Sequence, residues 1–320
     1  RVNQHVAIIR GKQDTVLNQY LMYYLQYKKT QLLSLSQGGA TRNALTKKMI
    51  EEIEITLPTL PRQKQIVSIL SALDSKIEQN RRINDNLEQQ AQALFKSWFV
   101  DFEPFKDGEF VDSELGMIPN GWRIGSLSDI VDLLSGFAFK SNTFEIEGRY
   151  KLVTIKAVQD GYLELNGADC INQVPTKVPS HCFLNQKDIL LSLTGNVGRC
   201  CLVNCDNLLL NQRVATIKPK NLRDWAYTYI LFRLPETKTY LESISRGTAQ
   251  ANLSPIETAN MPLIIPSREV MDAFAKCATP LLTNLVILTT ESEKLAQQRD
   301  TLLPKLMSGE LRIDEIETEK

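Results

Sequence analysis

The sequence from residue 62 to residue 100 reads RQKQIVSILSALDSKIEQNRRINDNLEQQAQALFKSWFV. Within it, alternating steps of four and three residues connect Ile66, Leu70, Leu73, Ile77, Asn80, Asn84, Leu87, Ala91, Leu94 and Trp98. This is the spacing of the core positions of a coiled coil, and no proline or glycine interrupts it. The stretch therefore predicts one helix, roughly 55–60 Å long at ~1.5 Å per residue, which needs a partner along its apolar side.

The same spacing recurs later in the chain, and each position follows its counterpart by 208 residues, as Phe274 follows Ile66. The second set is Phe274, Ala278, Leu281, Leu285, Leu288, Ser292, Leu295, Arg299, Leu302 and Leu306. We expect the two helices to pack against each other antiparallel. The polar positions Asn80, Asn84 and Ser292 would set the register at some cost in stability.

The offset of 208 residues extends beyond the helices. Asn3-Gln4-His5-Val6-Ala7 matches Asn211-Gln212-Arg213-Val214-Ala215, Gly39 matches Gly247, and Pro58 matches Pro266. Two heptad helices resemble each other by composition alone, but a shared motif, glycine and proline in one register indicate an internal duplication. The second copy has about ninety residues, from Met117 to Leu208, that the first copy lacks. We therefore interpret the chain as a fragment that lacks the first part of its first module.

The formal net charge is zero, yet the charge alternates along the chain. Residues 1–62 carry 9 Lys/Arg and 4 Asp/Glu, and residues 118–268 carry 16 and 13. Residues 63–117 and 269–320 each carry 6 Lys/Arg and 10 Asp/Glu. Basic modules between acidic helices are typical of a protein whose modules meet phosphate while its spacer does not.

Several classes of protein are disfavoured. No run of 18 apolar residues is present, so we expect no membrane span and a cytoplasmic protein. The six cysteines lack paired C-x2-C spacing, so reduced thiols are expected and no metal site. There is no G-x-x-x-x-G-K-[ST] loop to bind ATP phosphates, and no Asn-Pro-Pro-Tyr motif to position a flipped base for methylation. Two histidines are too few for a convincing acid–base centre. For the glycine turn at Thr194-Gly195-Asn196, a strand-to-strand connection is favoured over phosphate binding.

The predicted fold class is α/β, of the α+β kind, with two globular modules, the first partial, and two long antiparallel coiled-coil helices. Strands are predicted at 6–9, 53–58, 152–155, 188–193, 214–217 and 261–265, and a short helix at 127–134. The predicted segments are the end of the first module (1–61), the first long helix (62–105), a linker (106–117), the second module (118–266), the second long helix (267–308) and an acidic tail (309–320).

Three segments carry a resemblance to a known family. They are Phe95-Lys96-Ser97-Trp98-Phe99-Val100-Asp101-Phe102-Glu103-Pro104-Phe105, Ser113-Glu114-Leu115-Gly116-Met117-Ile118-Pro119-Asn120-Gly121-Trp122 and Gly136-Phe137-Ala138-Phe139-Lys140-Ser141. With the order of modules and helices, they resemble the specificity subunit of type I restriction–modification systems over essentially the whole chain. The resemblance implies that the two modules are target-recognition domains, 1–61 being the end of the first and 118–266 the second. The departure from the family pattern is the missing first part of the first recognition domain.

The resemblance implies a subunit without a catalytic centre that reads a bipartite sequence in double-stranded DNA. It also implies that the subunit holds methyltransferase (modification) subunits, which motor-nuclease (restriction) subunits join. No cofactor is expected on this chain, because S-adenosylmethionine, ATP and magnesium would belong to the partner subunits. Three alternatives stay open at this point. They are a coiled-coil scaffold without DNA recognition, a nuclease or methyltransferase, and a specificity subunit that serves modification only.

Base reading requires polar and basic side chains on loops that enter a groove of the DNA. In the second module the candidates are Lys140, Ser141, Lys156, Asn196, Arg199, Gln212, Arg213, Arg246, Thr248 and Gln250. In the first module they are Gln4, His5, Lys12, Arg42 and Asn43. For each residue the alternative is an exposed polar side chain or one that only satisfies the fold. The repeated Asn-Gln pair favours a structural role, since the two modules should read different bases.

Overall fold

The computed structural model describes residues 6–36, 44–245 and 251–311. The chain divides into two compact units, one of Arg1–Asn80 with Glu291–Lys320 and one of Arg81–Thr290. The helices are α1 Asn18–Tyr27, α2 Lys29–Ser36, α3 Lys47–Glu51, α4 Leu60–Phe99, α5 Trp225–Arg233, α6 Pro235–Ile244, α7 Pro255–Ala259 and α8 Arg268–Ser308. The strands are β1 Phe110–Val111, β2 Ile118–Pro119, β3 Arg123–Ser126, β4 Val131–Ser135, β5 Tyr150–Val153, β6 Cys170–Ile171, β7 Phe183–Leu184, β8 Ile189–Ser192, β9 Cys200–Leu202, β10 Leu208–Leu210, β11 Val214–Pro219 and β12 Pro262–Ile265.

The two long helices, α4 of 40 residues and α8 of 41, pack antiparallel within each unit, as predicted. In the first unit, Ile66 and Leu70 near the start of α4 share a core with Leu306 near the end of α8. In the second unit, Phe99 at the end of α4 stacks on Phe274 near the start of α8, with ring centroids 4.8 Å apart. By length and composition alone α8 could cross a membrane. The packing of its apolar side on α4 accounts for that composition.

Polar side chains interrupt the apolar seam between the long helices. In the first unit, Asn80 Nδ2 donates to Glu291 Oε2 at 2.7 Å, and Asn80 is fully buried. In the second unit, Asn84 Nδ2 donates to Thr289 Oγ1 at 2.9 Å. Because a shift by one heptad would bury these amides against apolar side chains, they favour a single register.

The second unit is built on two four-stranded sheets. One has the order β4-β11-β8-β9 and is antiparallel throughout. The other has the order β6-β5-β10-β7, in which β5 and β10 are parallel. Helix α5 buries Ala226, Tyr229 and Ile230 in the core that includes Leu191 and Ala215 of the first sheet. The mixture of helices and sheets confirms the predicted fold class.

The aromatic residues that end α4 pack as a cluster. Phe99 lies 5.0 Å from Tyr227 and 5.9 Å from Trp122, and Phe95 lies 5.0 Å from Tyr227, all between ring centroids. Such tilted and edge-to-face pairs stabilise a core beyond the area that they bury. The cluster fixes α4, α5 and the segment before β3 to one another.

The first unit has its own small core, in which Tyr20, Tyr23 and Tyr24 of α1 are buried. Gln63 of α4 is also fully buried and connects three chain segments. Its Oε1 accepts from the Leu17 amide at 2.9 Å. Its Nε2 donates to the Thr15 and Pro58 carbonyl oxygens at 3.0 and 2.9 Å.

The duplication is visible in the elements themselves. Helices α3 and α7 have five residues each and are separated by 208 positions at both ends. Thr46 caps α3 by accepting from the Met49 amide at 3.2 Å, and Ser254 caps α7 by accepting from the Glu257 amide at 3.4 Å. A hydroxyl at the N-cap thus serves the same purpose in both copies.

The strands predicted at 6–9 and 53–58 are wrong, because these described segments form no strand. The reason is that a strand needs a neighbouring strand with which its backbone can form hydrogen bonds. At the offset of 208 residues, 6–9 corresponds to the start of β11, which pairs with β4 and β8. Likewise 54–57 corresponds to β12, which pairs with β3. No described strand pairs with either segment, so their backbone groups form no ladder.

The helix predicted over 127–134 is also wrong. A single 3-10 turn covers Leu127–Asp129, and β4 follows from Val131. Asp129 completes a capping box with Ser126, which stabilises the start of this turn. The apolar residues after it are then recruited by pairing with β11.

Candidate nucleic-acid interface

Three loops of the second unit meet at one edge of the antiparallel sheet. The amide of Leu193, just after β8, donates to the Arg213 carbonyl oxygen at 3.0 Å. The Leu193 carbonyl oxygen accepts from the Leu253 amide at 2.7 Å. Leu193 therefore lies between the loop that precedes β11 and the segment that precedes α7, and the glycine turn follows directly after it.

A surface concavity of about 650 Å³ lies at this edge. Its lining residues are Ser135, Leu193, Thr194, Gln212, Arg213, Asn252, Leu253, Ser254 and Pro255. The predicted residues Gln212 and Arg213 are both exposed there. Because both residues line the concavity and are exposed, their side chains can contact a molecule that occupies it.

A second concavity, of about 320 Å³, lies on the other side of the glycine turn. Its lining residues are Gly195, Asn196, Val197, Arg199, Lys238, Glu242, Ser245 and Ala251. The two concavities are separated where the Gly195 amide donates to the Ala251 carbonyl oxygen at 3.0 Å. The structure thus brings together four predicted residues, namely Asn196, Arg199, Gln212 and Arg213.

The glycine-aromatic loop is anchored close to this edge. A side chain at Gly136 would place its Cβ 2.3 Å from the Asn211 carbonyl oxygen, so only glycine allows this approach. The next amide, of Phe137, donates to the Leu210 carbonyl oxygen at 3.0 Å. Lys140 and Ser141, at the far end of the loop, are exposed and line neither concavity.

Asn211 has a structural role in the turn between β10 and β11. Its amide donates to the Val153 carbonyl oxygen at 3.0 Å, and its carbonyl oxygen accepts from the Val214 amide at 3.0 Å. Both contacts are made by the backbone of Asn211, so they fix the turn in which the repeated Asn-Gln pair lies. The second member, Gln212, faces the concavity.

Lys156 is exposed and is connected to Arg199 through a residue that sequence reasoning missed. Gln159 Nε2 donates to the Lys156 carbonyl oxygen at 2.7 Å, and Arg199 Nη1 donates to Gln159 Oε1 at 2.6 Å. Lys238 and Asn252 line the concavities and were missed as well. Of these residues, only Asn252 could have been found from the sequence, because it ends the polar loop that recurs in both copies.

In the first unit the structure describes one candidate, Lys12. It is exposed, and its carbonyl oxygen accepts from the Thr15 and Val16 amides, both at 3.2 Å, in a turn before α1. The remaining candidates lie outside the described residues: Gln4, His5, Arg42, Asn43, Arg246, Thr248 and Gln250.

The adjacent cysteines belong to the core. Cys200 and Cys201 are fully buried in β9, and burial raises the pKa of the Cys201 thiol to about 12. Thiols in this state are protonated and poor metal ligands. In the part of the chain that the structure describes, no three His, Cys, Asp or Glu side chains are grouped to hold a metal ion.

Comparison with known proteins adds three findings. The model of the type I restriction modification DNA specificity domain matches residues 1–89 and 119–295. The MjaIX specificity subunit of Methanocaldococcus jannaschii, a type I restriction enzyme subunit, is 32% identical over 311 residues, which cover 95% of this chain and 71% of that relative. The crystal structure of the S subunit from M. genitalium is similar in fold, with a TM-score of 0.50, 18% identity, and coverage of 91% of this chain and 72% of that one.

Proposed function

Because this chain belongs to the family of type I restriction–modification specificity subunits, which recognise DNA targets, we propose that it reads a bipartite sequence. One module would read each part of the target. The observation that carries the proposal is the grouping of Asn196, Arg199, Gln212 and Arg213 around two concavities at one sheet edge. Amide and guanidinium groups of this kind read bases through paired hydrogen bonds in the major groove.

The duplication supports a target in two parts. Two copies of one fold that share an N-cap hydroxyl, a short helix and a long helix present related reading loops. Each copy carries its own loop residues, so each reads its own bases. The bases between the two parts would remain unread.

We propose further that the chain is non-catalytic and that it binds methyltransferase and restriction subunits. S-adenosylmethionine, ATP and magnesium would bind to those subunits. The long helices support this role, because their outer sides offer rigid surfaces on which other subunits can pack.

The test is selection from a library of duplexes randomised in both half-sites, with this chain bound to its methyltransferase. We expect two selected half-sites separated by unselected bases, and substitution of residues of the second module should change the preference at only one of them. Selected duplexes without any preferred sequence, or with a single preferred half-site, would contradict the proposal.

A further inference from the structure

Four charged side chains of the second unit form a network that no sequence motif indicates. Arg233 at the end of α5 donates from Nε to Glu88 Oε1 of α4 at 2.5 Å. Its Nη1 donates to Asp160 Oδ1, and Lys238 of α6 donates to Asp160 Oδ2 at 2.6 Å. The network connects a long helix, two short helices and the loop that carries Asp160.

The loop is held closely in this network. Gly161 has a φ of +91°, a conformation that favours glycine, and a Cβ there would lie 2.8 Å from Arg233 Nη2, so the loop passes close to the guanidinium. The Gly161 amide also donates to the Cys200 carbonyl oxygen of β9 at 2.9 Å. The position of Asp160 is therefore set by α5, α6 and the sheet together.

The same loop orients Arg199. Gln159, the neighbour of Asp160, accepts from Arg199 Nη1 through its amide oxygen at 2.6 Å. An amide oxygen is neutral, so this contact directs the guanidinium and leaves its positive charge uncompensated by Gln159. Arg199 lines the smaller concavity together with Lys238, which itself contacts Asp160.

The charges in the network stabilise one another. Burial raises the pKa of Asp160, but the ammonium of Lys238 and the guanidinium of Arg233 outweigh it, and its pKa is lowered overall. Burial acts against the charge of Arg233, while Tyr229 and Glu88 raise its pKa. Both groups are thus charged at neutral pH, and with 14% of its side chain exposed, Arg233 is largely shielded from salt.

We propose that Asp160 is a positioning residue for DNA reading, which acts through Gln159 and Arg199. With Arg233 and Lys238 it holds the 159–161 loop, so that Arg199 meets the DNA in one orientation. This inference rests on the proposed function and deepens it, since it assigns DNA selectivity to a side chain that need not touch DNA.

The test is a double-mutant cycle on the full chain bound to its methyltransferase. The measured quantity is the preference ratio, which is the affinity for the selected duplex divided by that for a duplex of shuffled sequence. We expect Arg199→Ala to lower this ratio by roughly 5- to 150-fold, as for the loss of a base-reading pair. Asp160→Asn should lower it less. The double variant should match Arg199→Ala, because the two residues act through one contact.

Asp206→Asn is the matched control, since Asp206 is exposed, lines neither concavity and should leave the ratio unchanged. If Asp160→Asn fails to fold, as judged by its melting temperature, Gln159→Leu replaces it in the same cycle. Losses that multiply in the double variant would overturn the proposal. So would an unchanged ratio for Arg199→Ala, although the proposed function would stand. A wild-type complex without any preference would instead remove the proposed function, and this inference with it.

Discussion

At the scale of single residues, Arg213 offers the most direct test of the larger concavity. It is exposed on the loop that enters β11 and lies beside Gln212. We expect Arg213→Ala to cost about 1–3 kcal/mol of discrimination against wrong bases, through loss of a paired hydrogen bond. The measurement is binding of the methyltransferase-bound chain to the selected duplex and to single-base variants of it.

Arg223→Ala is the matched control for that variant, because the Arg223 side chain is 70% exposed and pairs with Asp272 outside both concavities. A uniform loss of affinity on all sequences, with a smaller salt dependence, would show that Arg213 contacts only phosphate.

Gln63 gives a second prediction, on stability. Replacement by alanine leaves the Leu17 amide and the Thr15 and Pro58 carbonyl oxygens without this partner in a partly buried place. We expect Gln63→Ala to lower the free energy of unfolding by roughly 1–3 kcal/mol. Urea titration measures this, with the exposed Gln65→Ala as control. Equal urea midpoints for Gln63→Ala and Gln65→Ala would show that the three hydrogen bonds of Gln63 do not stabilise the fold.

Sequence reasoning found single residues only where a pattern carried them. Gln212 was found because it belongs to a repeated motif and Arg213 because it follows directly within that motif, and the structure places both at the larger concavity. Gln159 was missed because its importance comes from two contacts, to Lys156 and to Arg199. Neither partner lies at a spacing that the sequence makes visible.

At the scale of elements, the long helices and the strands of the second module were predicted, since β8, β11 and β12 lie where strands were expected. The strands expected at 6–9 and 53–58 and the helix expected at 127–134 were wrong. The periodicity of α4 is local, so the sequence alone contains the information for a helix of that length. A strand depends on its neighbours. The segment 6–9 has the composition of a strand but no ladder partner, and 131–135 becomes a strand because β11 pairs with it.

The polar residues in the seam between α4 and α8 give the prediction at the scale of elements. Replacing the buried Asn80 with leucine adds apolar contact between α4 and α8, while Glu291 keeps Lys76 at 3.6 Å. We expect Asn80→Leu to raise the free energy of unfolding by about 1–2 kcal/mol and to weaken the preference for one register. Urea titration and disulfide trapping of cysteine pairs across the seam measure the two effects.

The control for the seam variant is Asn86→Leu on the exposed side of α4. A large loss of stability in Asn80→Leu, with Asn86→Leu neutral, would show that the amide stabilises the helix pair rather than restricting its register.

At the scale of the whole molecule, the prediction concerns chemistry. Purified alone, the chain should neither cut DNA nor transfer a methyl group from S-adenosylmethionine. The reason is that its sequence lacks the motifs for either reaction. Incubation with labelled S-adenosylmethionine and duplex DNA, with and without the methyltransferase subunit, measures this. Label in the DNA without that subunit would refute the expectation.

The antiparallel packing of α4 and α8 also has a consequence in time. The last residue of α4, Phe99, and the first of α8, Arg268, are 169 positions apart in the chain. A ribosome adds about 5–20 residues per second, so roughly 10–30 s pass between the synthesis of the end of α4 and that of the start of α8. Collapse of an apolar surface takes microseconds. We therefore expect the seam of α4 to bind chaperones during synthesis, and nascent chains that stop before Arg268 to aggregate.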